Sequence, residues 1–90
     1  MAVMVTFTLK ADKQTYQNMH GQLLPVAISH GLLFHSAHEA GSQVGIVDFW
    51  PSPEAWNSFF EGPITEGVKA AGLDLPDDVK LTPVLNADSR

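Results

Sequence analysis

Apolar residues occupy alternate positions from Val3 to Leu9, with Val3, Val5, Phe7 and Leu9 on one face and Met4, Thr6 and Thr8 on the other. A period of two predicts a first strand over residues 2–9, with a second face that is mixed rather than strongly polar. After Asp12 the period lengthens. Tyr16, Met19, Leu23 and Leu24 recur at three- and four-residue spacing, the stripe of an amphipathic helix that Asp12 can cap. Pro25 lacks a backbone donor and crowds the preceding turn, so it is expected to end or kink this helix, leaving residues 25–30 as a connector.

Residues 31–50 read as a β-hairpin whose strands are mostly apolar on both faces. Half-buried strands alternate apolar with polar, so these two need cover on both sides. Residues 39–43 supply the turn, where Gly41 permits a positive φ. Ser52 is then placed to cap a helix with Pro53 at its first position, running through Trp56, Phe59 and Phe60. Gly62-Pro63 is expected to interrupt it. Ile64, Val68 and Ala71 continue a second helical piece that Gly72 can close. Residues 73–78 form a loop and residues 79–85 a last strand, which Pro83 should confine to a sheet edge or bring to an end.

Strand, helix, strand, strand, helix, strand is the ferredoxin-like βαββαβ order. The expectation is one α+β domain over residues 1–90, a four-stranded antiparallel sheet with two helices on one face. With Gly41-Ser42 as the hairpin loop, His35 faces Asp48 directly. A loop centred on Ala40-Gly41 still leaves them diagonal neighbours on one face. That face also carries Leu33, Ala37, Ile46 and Trp50, and the opposite one Phe34, Ser36, His38, Gly45, Val47 and Phe49. Phe34, Val47 and Phe49 are expected to meet the helices, and the His35 face to be the open side of the sheet.

Composition narrows the function classes. The chain has no cysteine, which excludes disulfides, thiolate nucleophiles and thiolate metal sites, and makes the cytoplasm the default compartment. Five basic against ten acidic residues give a formal charge of -5 with no basic cluster, which argues against nucleic acid and anionic membranes as partners. The first nine residues are too short for a membrane span. At 90 residues the burial attainable by one chain is modest, so a homodimer is expected.

The candidate chemistry is the His35/Asp48 pair. A carboxylate facing an imidazole can orient it as a proton acceptor, or the two can simply satisfy each other as a cross-strand hydrogen bond. Four histidines raise a metal site, but His35 and His38 point to opposite strand faces and His20 lies on the first helix, so none is expected. Trp56, Phe59 and Phe60 have the spacing of a helix face packed on a sheet, whereas Trp50 shares its face with His35 and Asp48 and is expected to line a pocket or a dimer seam. Gly41–Gly45 has neither the spacing nor the lysine of a phosphate loop, and no serine has nucleophile-elbow context.

Gly31-Leu-Leu-Phe-His35, then Gly45-Ile-Val-Asp-Phe-Trp-Pro-Ser-Pro-Glu-Ala-Trp56, then Pro83-Val-Leu-Asn86 resembles the small dimeric α+β barrel proteins. That superfamily includes cofactor-independent antibiotic-biosynthesis monooxygenases, haem-degrading monooxygenases, isomerases and many small bacterial proteins of unknown function, the last being the nearest in look. Such chains often carry a leucine-rich strand ending in His and then Val-Asp-x-Trp-x-Ser, which His35, Asp48, Trp50 and Ser52 match. The resemblance implies two sheets facing each other across a barrel, the missing second cover. Two departures stand out: Leu85 occupies a position that is often histidine, and Thr65–Ala71 has no histidine, whereas the haem-degrading branch relies on one there. The resemblance thus implies a homodimer, no cofactor, and a pocket for a hydrophobic small molecule. In it His35 would be the base oriented by Asp48, Trp50 and Leu33 would shape the wall, and Thr6 or Thr8 would offer a hydroxyl. The alternative is a non-catalytic dimerisation or ligand-binding module in which the pair fixes strand register.

Overall fold

The alternation in the first strand is real and one-sided: Val3, Val5, Phe7 and Leu9 are buried, while Met4, Thr6 and Thr8 are partly exposed. A computed structural model of the protein describes residues 1–87. Its four strands, β1 (Val3–Leu9), β2 (Phe34–Ala40), β3 (Gln43–Trp50) and β4 (Lys80–Pro83), form one antiparallel sheet in the order β2-β3-β1-β4. Helices α1 (Lys13–Ser29), α2 (Pro53–Phe59) and α3 (Thr65–Ala70) cover one face, as the ferredoxin-like order requires. Pro83 lies opposite Val3 on the outer strand, where its missing donor is harmless. β4 also ends at Pro83, the other outcome expected of that proline, although Val84 N–H still donates to the Ala2 carbonyl at 3.0 Å. Just before β4, the Asp78 carboxylate accepts the Thr8 N–H at 2.9 Å; that bond holds its carboxyl below the usual range and ties the loop to β1.

Both helix starts are capped as expected, Asp12 accepting from Thr15 N–H at 2.7 Å and Ser52 from Ala55 N–H at 3.1 Å. The helix ends differ from expectation. Pro25 does not stop α1, which runs on to Ser29. Pro25 and Gly21, the residue whose carbonyl loses a donor to proline, both lie on the exposed side, where water can take the donor's place. The stop is Gly31, with φ 104: Gly31 N–H donates to Ile28 and Leu32 N–H to Ala27, the paired bonds of a Schellman cap. Gly72, with φ 72, ends α3 in the same way through Lys69 and Val68.

Gly62-Pro63 does not interrupt the second helical region either. Residues Phe60–Ile64 widen into a π turn, and the Phe60 carbonyl accepts both the N–H of Thr65 and its hydroxyl, the latter at 2.7 Å. The extra residue in that turn accommodates the donor that Pro63 lacks, so α2 and α3 continue one another.

The hairpin has the expected register, with Ala40 opposite Gln43, Gly41 at φ 63, and His35 opposite Asp48. The assignment of its faces is reversed. β1 pairs Val3 with Trp50, Val5 with Asp48 and Phe7 with Ile46, and opposed residues share a face. The strongly apolar side of β1 therefore carries Ile46, Asp48 and Trp50 of β3, and His35 of β2, in beneath the helices. Trp50 is fully buried against Trp56 and Phe59, with ring centroids 5.9 and 5.1 Å away. Phe34, Val47 and Phe49 lie on the uncovered side with Met4, Thr6 and Thr8. There Phe34 and Phe49 meet edge to face at 5.8 Å, and Phe34 is 55% exposed.

Candidate functional site

Asp48 is the one charged residue among the buried set of the described chain, at 4% exposure. A carboxylate is expensive to bury unless donors surround it. His35 Nδ1 lies 2.6 Å from Asp48 Oδ1 across the β2–β3 pair, and Trp50 Nε1–H donates to Oδ2 at 3.4 Å. Because the carboxylate accepts, it fixes His35 as the Nδ1–H tautomer and leaves Nε2 as an acceptor turned toward α1. There it meets the hydroxyl of Tyr16: Oη to Nε2 is 2.7 Å. Tyr16 Oη is also 3.3 Å from His20 Nδ1, one turn further along α1, and the His20 and His35 rings stack with centroids 5.2 Å apart. Asp48, His35, Tyr16 and His20 thus form one continuous polar path from the buried sheet to the helix surface.

Electrostatics keep the tyrosine a donor. Burial pushes its hydroxyl above the ordinary tyrosine range, and the negative charge of Asp48 pushes it in the same direction. Neutral Tyr16 can give its proton to His35 Nε2 and retains lone pairs for another donor.

The path borders a cavity of about 80 Å³ between the sheet and α1, lined elsewhere by apolar residues including Phe7, Leu23, Ile46, Phe59, Ile64 and Val68. Tyr16, His20, His35 and Asp48 provide its polar wall. The space suits a single small ring or branched apolar group. It is too small for a porphyrin, and no residue of α3 offers an imidazole to one, so the site does not fit haem. Among the described residues no three His, Asp or Glu side chains converge as a metal site.

Of the expected site residues, the structure brings His35 and Asp48 together, with Trp50 beside them as a donor to Asp48 that does not line the cavity. The structure does not bring Thr6 and Thr8 to them: they oppose Val47 and Gly45 on the uncovered face, across the sheet from His35. Leu33 is 63% exposed just before β2, and its neighbour Leu32 lines the cavity instead. Tyr16 and His20 were missed. Tyr16 fits the apolar stripe of α1 and so reads as core, yet its hydroxyl and a histidine four residues on are the signal that this stripe meets polar groups.

No family model and no curated protein sequence matches the chain. Solved structures do match its fold. A proposed antibiotic biosynthesis monooxygenase from Chloroflexus aurantiacus superposes with a TM-score of 0.69 at 14% identity, covering 99% of this chain and 98% of that one. A protein of unknown function from Nitrosomonas europaea gives 0.68 at 19% identity, covering 99% and 92%. MhuD, solved with two manganese protoporphyrin IX molecules per active site, gives 0.57 at 15% identity over the full length of both chains. At these identities the likeness establishes a shared α+β ferredoxin-like architecture. No helix of the described chain is long and apolar enough to cross a membrane.

Proposed function

We propose that the protein binds a small hydrophobic molecule bearing an acidic hydroxyl, a phenol or enol, between its sheet and α1, and moves that hydroxyl's proton without a cofactor. The observation that carries this reading is the Asp48–His35–Tyr16 path ending at the wall of an apolar cavity. A ligand hydroxyl donating to Tyr16 Oη breaks its O–H bond as Tyr16 passes its own proton to His35 Nε2. The imidazolium so formed faces the Asp48 carboxylate, which stabilises it, and the ligand is left as an electron-rich anion. Return of the proton to a ring or chain carbon makes the reaction an isomerisation; reaction of the anion with dioxygen at a CH2 carbon conjugated to it, which becomes a carbonyl holding one oxygen while the other leaves as water with the two hydrogens, makes it monooxygenase-like, the activity proposed for the Chloroflexus neighbour. His35 is the base, Asp48 its orienting partner and Tyr16 the group that touches the ligand.

A second reading has its own observation. No buried side-chain nitrogen or oxygen among the described residues lacks a hydrogen-bond partner, so the same residues can act as a structural tie between α1 and the sheet in a binding module without chemistry. The uncovered sheet face, with Met4, Phe34, Val47 and Phe49 at its centre, is the proposed homodimer surface in either case. Screening phenols and enols aerobically for conversion separates the readings. Turnover that falls about 100-fold or more in His35→Ala supports proton chemistry, and ligand binding with no turnover supports the module.

A further inference from the structure

We infer that the ligand is amphipathic, with an apolar ring in the inner cavity, its hydroxyl at the Tyr16–His35 wall, and an anionic group outside that wall held by Lys13. The inference rests on the site reading above and adds the second half of the ligand. Tyr16, His20 and His35 line a second space as well, an open groove of about 390 Å³ with a mixed polar and apolar lining between α1 and β2. These three rings are therefore the partition between a small apolar chamber and a much larger wet one. A molecule whose hydroxyl sits at the partition has its apolar part inside and anything else it carries in the groove.

The groove selects what that other part is. Lys13, Tyr16 and His20 follow one another at three- and four-residue intervals along α1 and so form one stripe facing β2. Lys13 lies about one helical turn, ~5 Å, before Tyr16, and it is the single lysine or arginine among the residues lining either space. Its ammonium reaches across the groove to the Glu39 carboxylate of β2. That hydrogen bond, with the lysine's charge behind it, holds the Glu39 carboxyl below its usual range. Both side chains are more than 70% exposed, at 73% and 72%, and an exposed pair of this kind contributes little to folding. A ligand carboxylate can therefore take the place of Glu39 on Lys13 with little loss, whereas no lysine or arginine lines the inner chamber.

Titration calorimetry with 3-methylphenol and 3-hydroxybenzoate tests this directly, since the two share ring and hydroxyl and differ in a methyl against a carboxylate. At low ionic strength the carboxylate probe is expected to bind about fivefold more tightly to the natural protein. Lys13→Met is expected to abolish that preference while leaving 3-methylphenol affinity unchanged, and Glu39→Gln to enlarge it; both positions are exposed, so both variants keep the fold. Equal affinities, or a preference that survives Lys13→Met, overturn the inference and leave the site reading standing. Failure of the natural protein to bind either phenol overturns the site reading and this inference with it.

Discussion

Tyr16 of α1 donates its hydroxyl proton to Nε2 of His35 on β2 across 2.7 Å, and this bond joins the helix layer to the sheet at the mouth of the cavity. It sets the resting state of the site. His35 cannot act as a base toward anything else until a ligand engages Tyr16 or displaces it, so the geometry couples binding to proton transfer.

The tyrosine itself reports on this arrangement. It is the sole tyrosine of the chain, so its ionisation is read cleanly from ultraviolet absorbance. Burial first, and Asp48 second, hold its midpoint above the ordinary value near 10. The stability consequence follows in sign: the folded state keeps a proton that the unfolded state releases, so this contribution is present below pH 10 and declines as pH rises through the folded midpoint. Titration should give a midpoint above 10 in the natural protein and a lower one in Asp48→Asn, where the charge is gone. A midpoint unchanged by Asp48→Asn would remove the electrostatic link.

Replacing Asp48 by asparagine also tests the buried pair. The variant keeps the shape but loses the charged acceptor for His35 Nδ1–H and Trp50 Nε1–H, and is expected to lose about 2 kcal/mol in urea unfolding at neutral pH. The Nδ1–H tautomer of His35, visible in nitrogen-15 spectra, should give way to a mixture. Retention of both stability and tautomer would mean that Asp48 does not orient the ring.

The end of α1 is tested at Gly31. A side chain there requires a φ of 104 and brings a Cβ to 3.2 Å from Cγ of Pro51. Gly31→Ala should therefore cost more stability than Gly72→Ala, whose positive φ is strained but whose Cβ meets nothing within 4 Å. The latter is expected to cost about 1 kcal/mol. Equal losses would place the end of α1 elsewhere.

Assembly depends on the uncovered face. Phe49 is partly exposed there and packs with Phe34, so Phe49→Lys should convert the proposed homodimer to a monomer in light scattering without perturbing Tyr16 or His35 on the far side. A natural protein that runs as a monomer would refute the proposed interface.

Much of the architecture was legible because local patterns state it: the period of β1, the caps Asp12 and Ser52, and the glycine turn that sets His35 against Asp48. Pro25 and Pro63 do not break their helices, since the effect of a proline depends on whether the orphaned carbonyl can find water or a widened turn, which is a matter of exposure and not of sequence spacing. The faces of the hairpin were misread because each strand is apolar on both sides; the decision lies in the β1–β3 pairing, where Val3, Val5 and Phe7 bring Trp50, Asp48 and Ile46 beneath the helices. Tyr16 and His20 reach His35 only through tertiary packing. The glycines at 31 and 72 were the better punctuation, and Gly31 carried the true end of α1 within plain view of the sequence.

The location of the ligand is the central claim, and nuclear Overhauser contacts from the ring protons of bound 3-methylphenol test it most directly. The structure predicts contacts to side chains of Leu23, Ile64 and Val68 and to the Tyr16 ring, all bordering the inner cavity. Contacts instead to Met4, Val47 or Thr6 would place the ligand on the opposite face of the sheet and contradict the account.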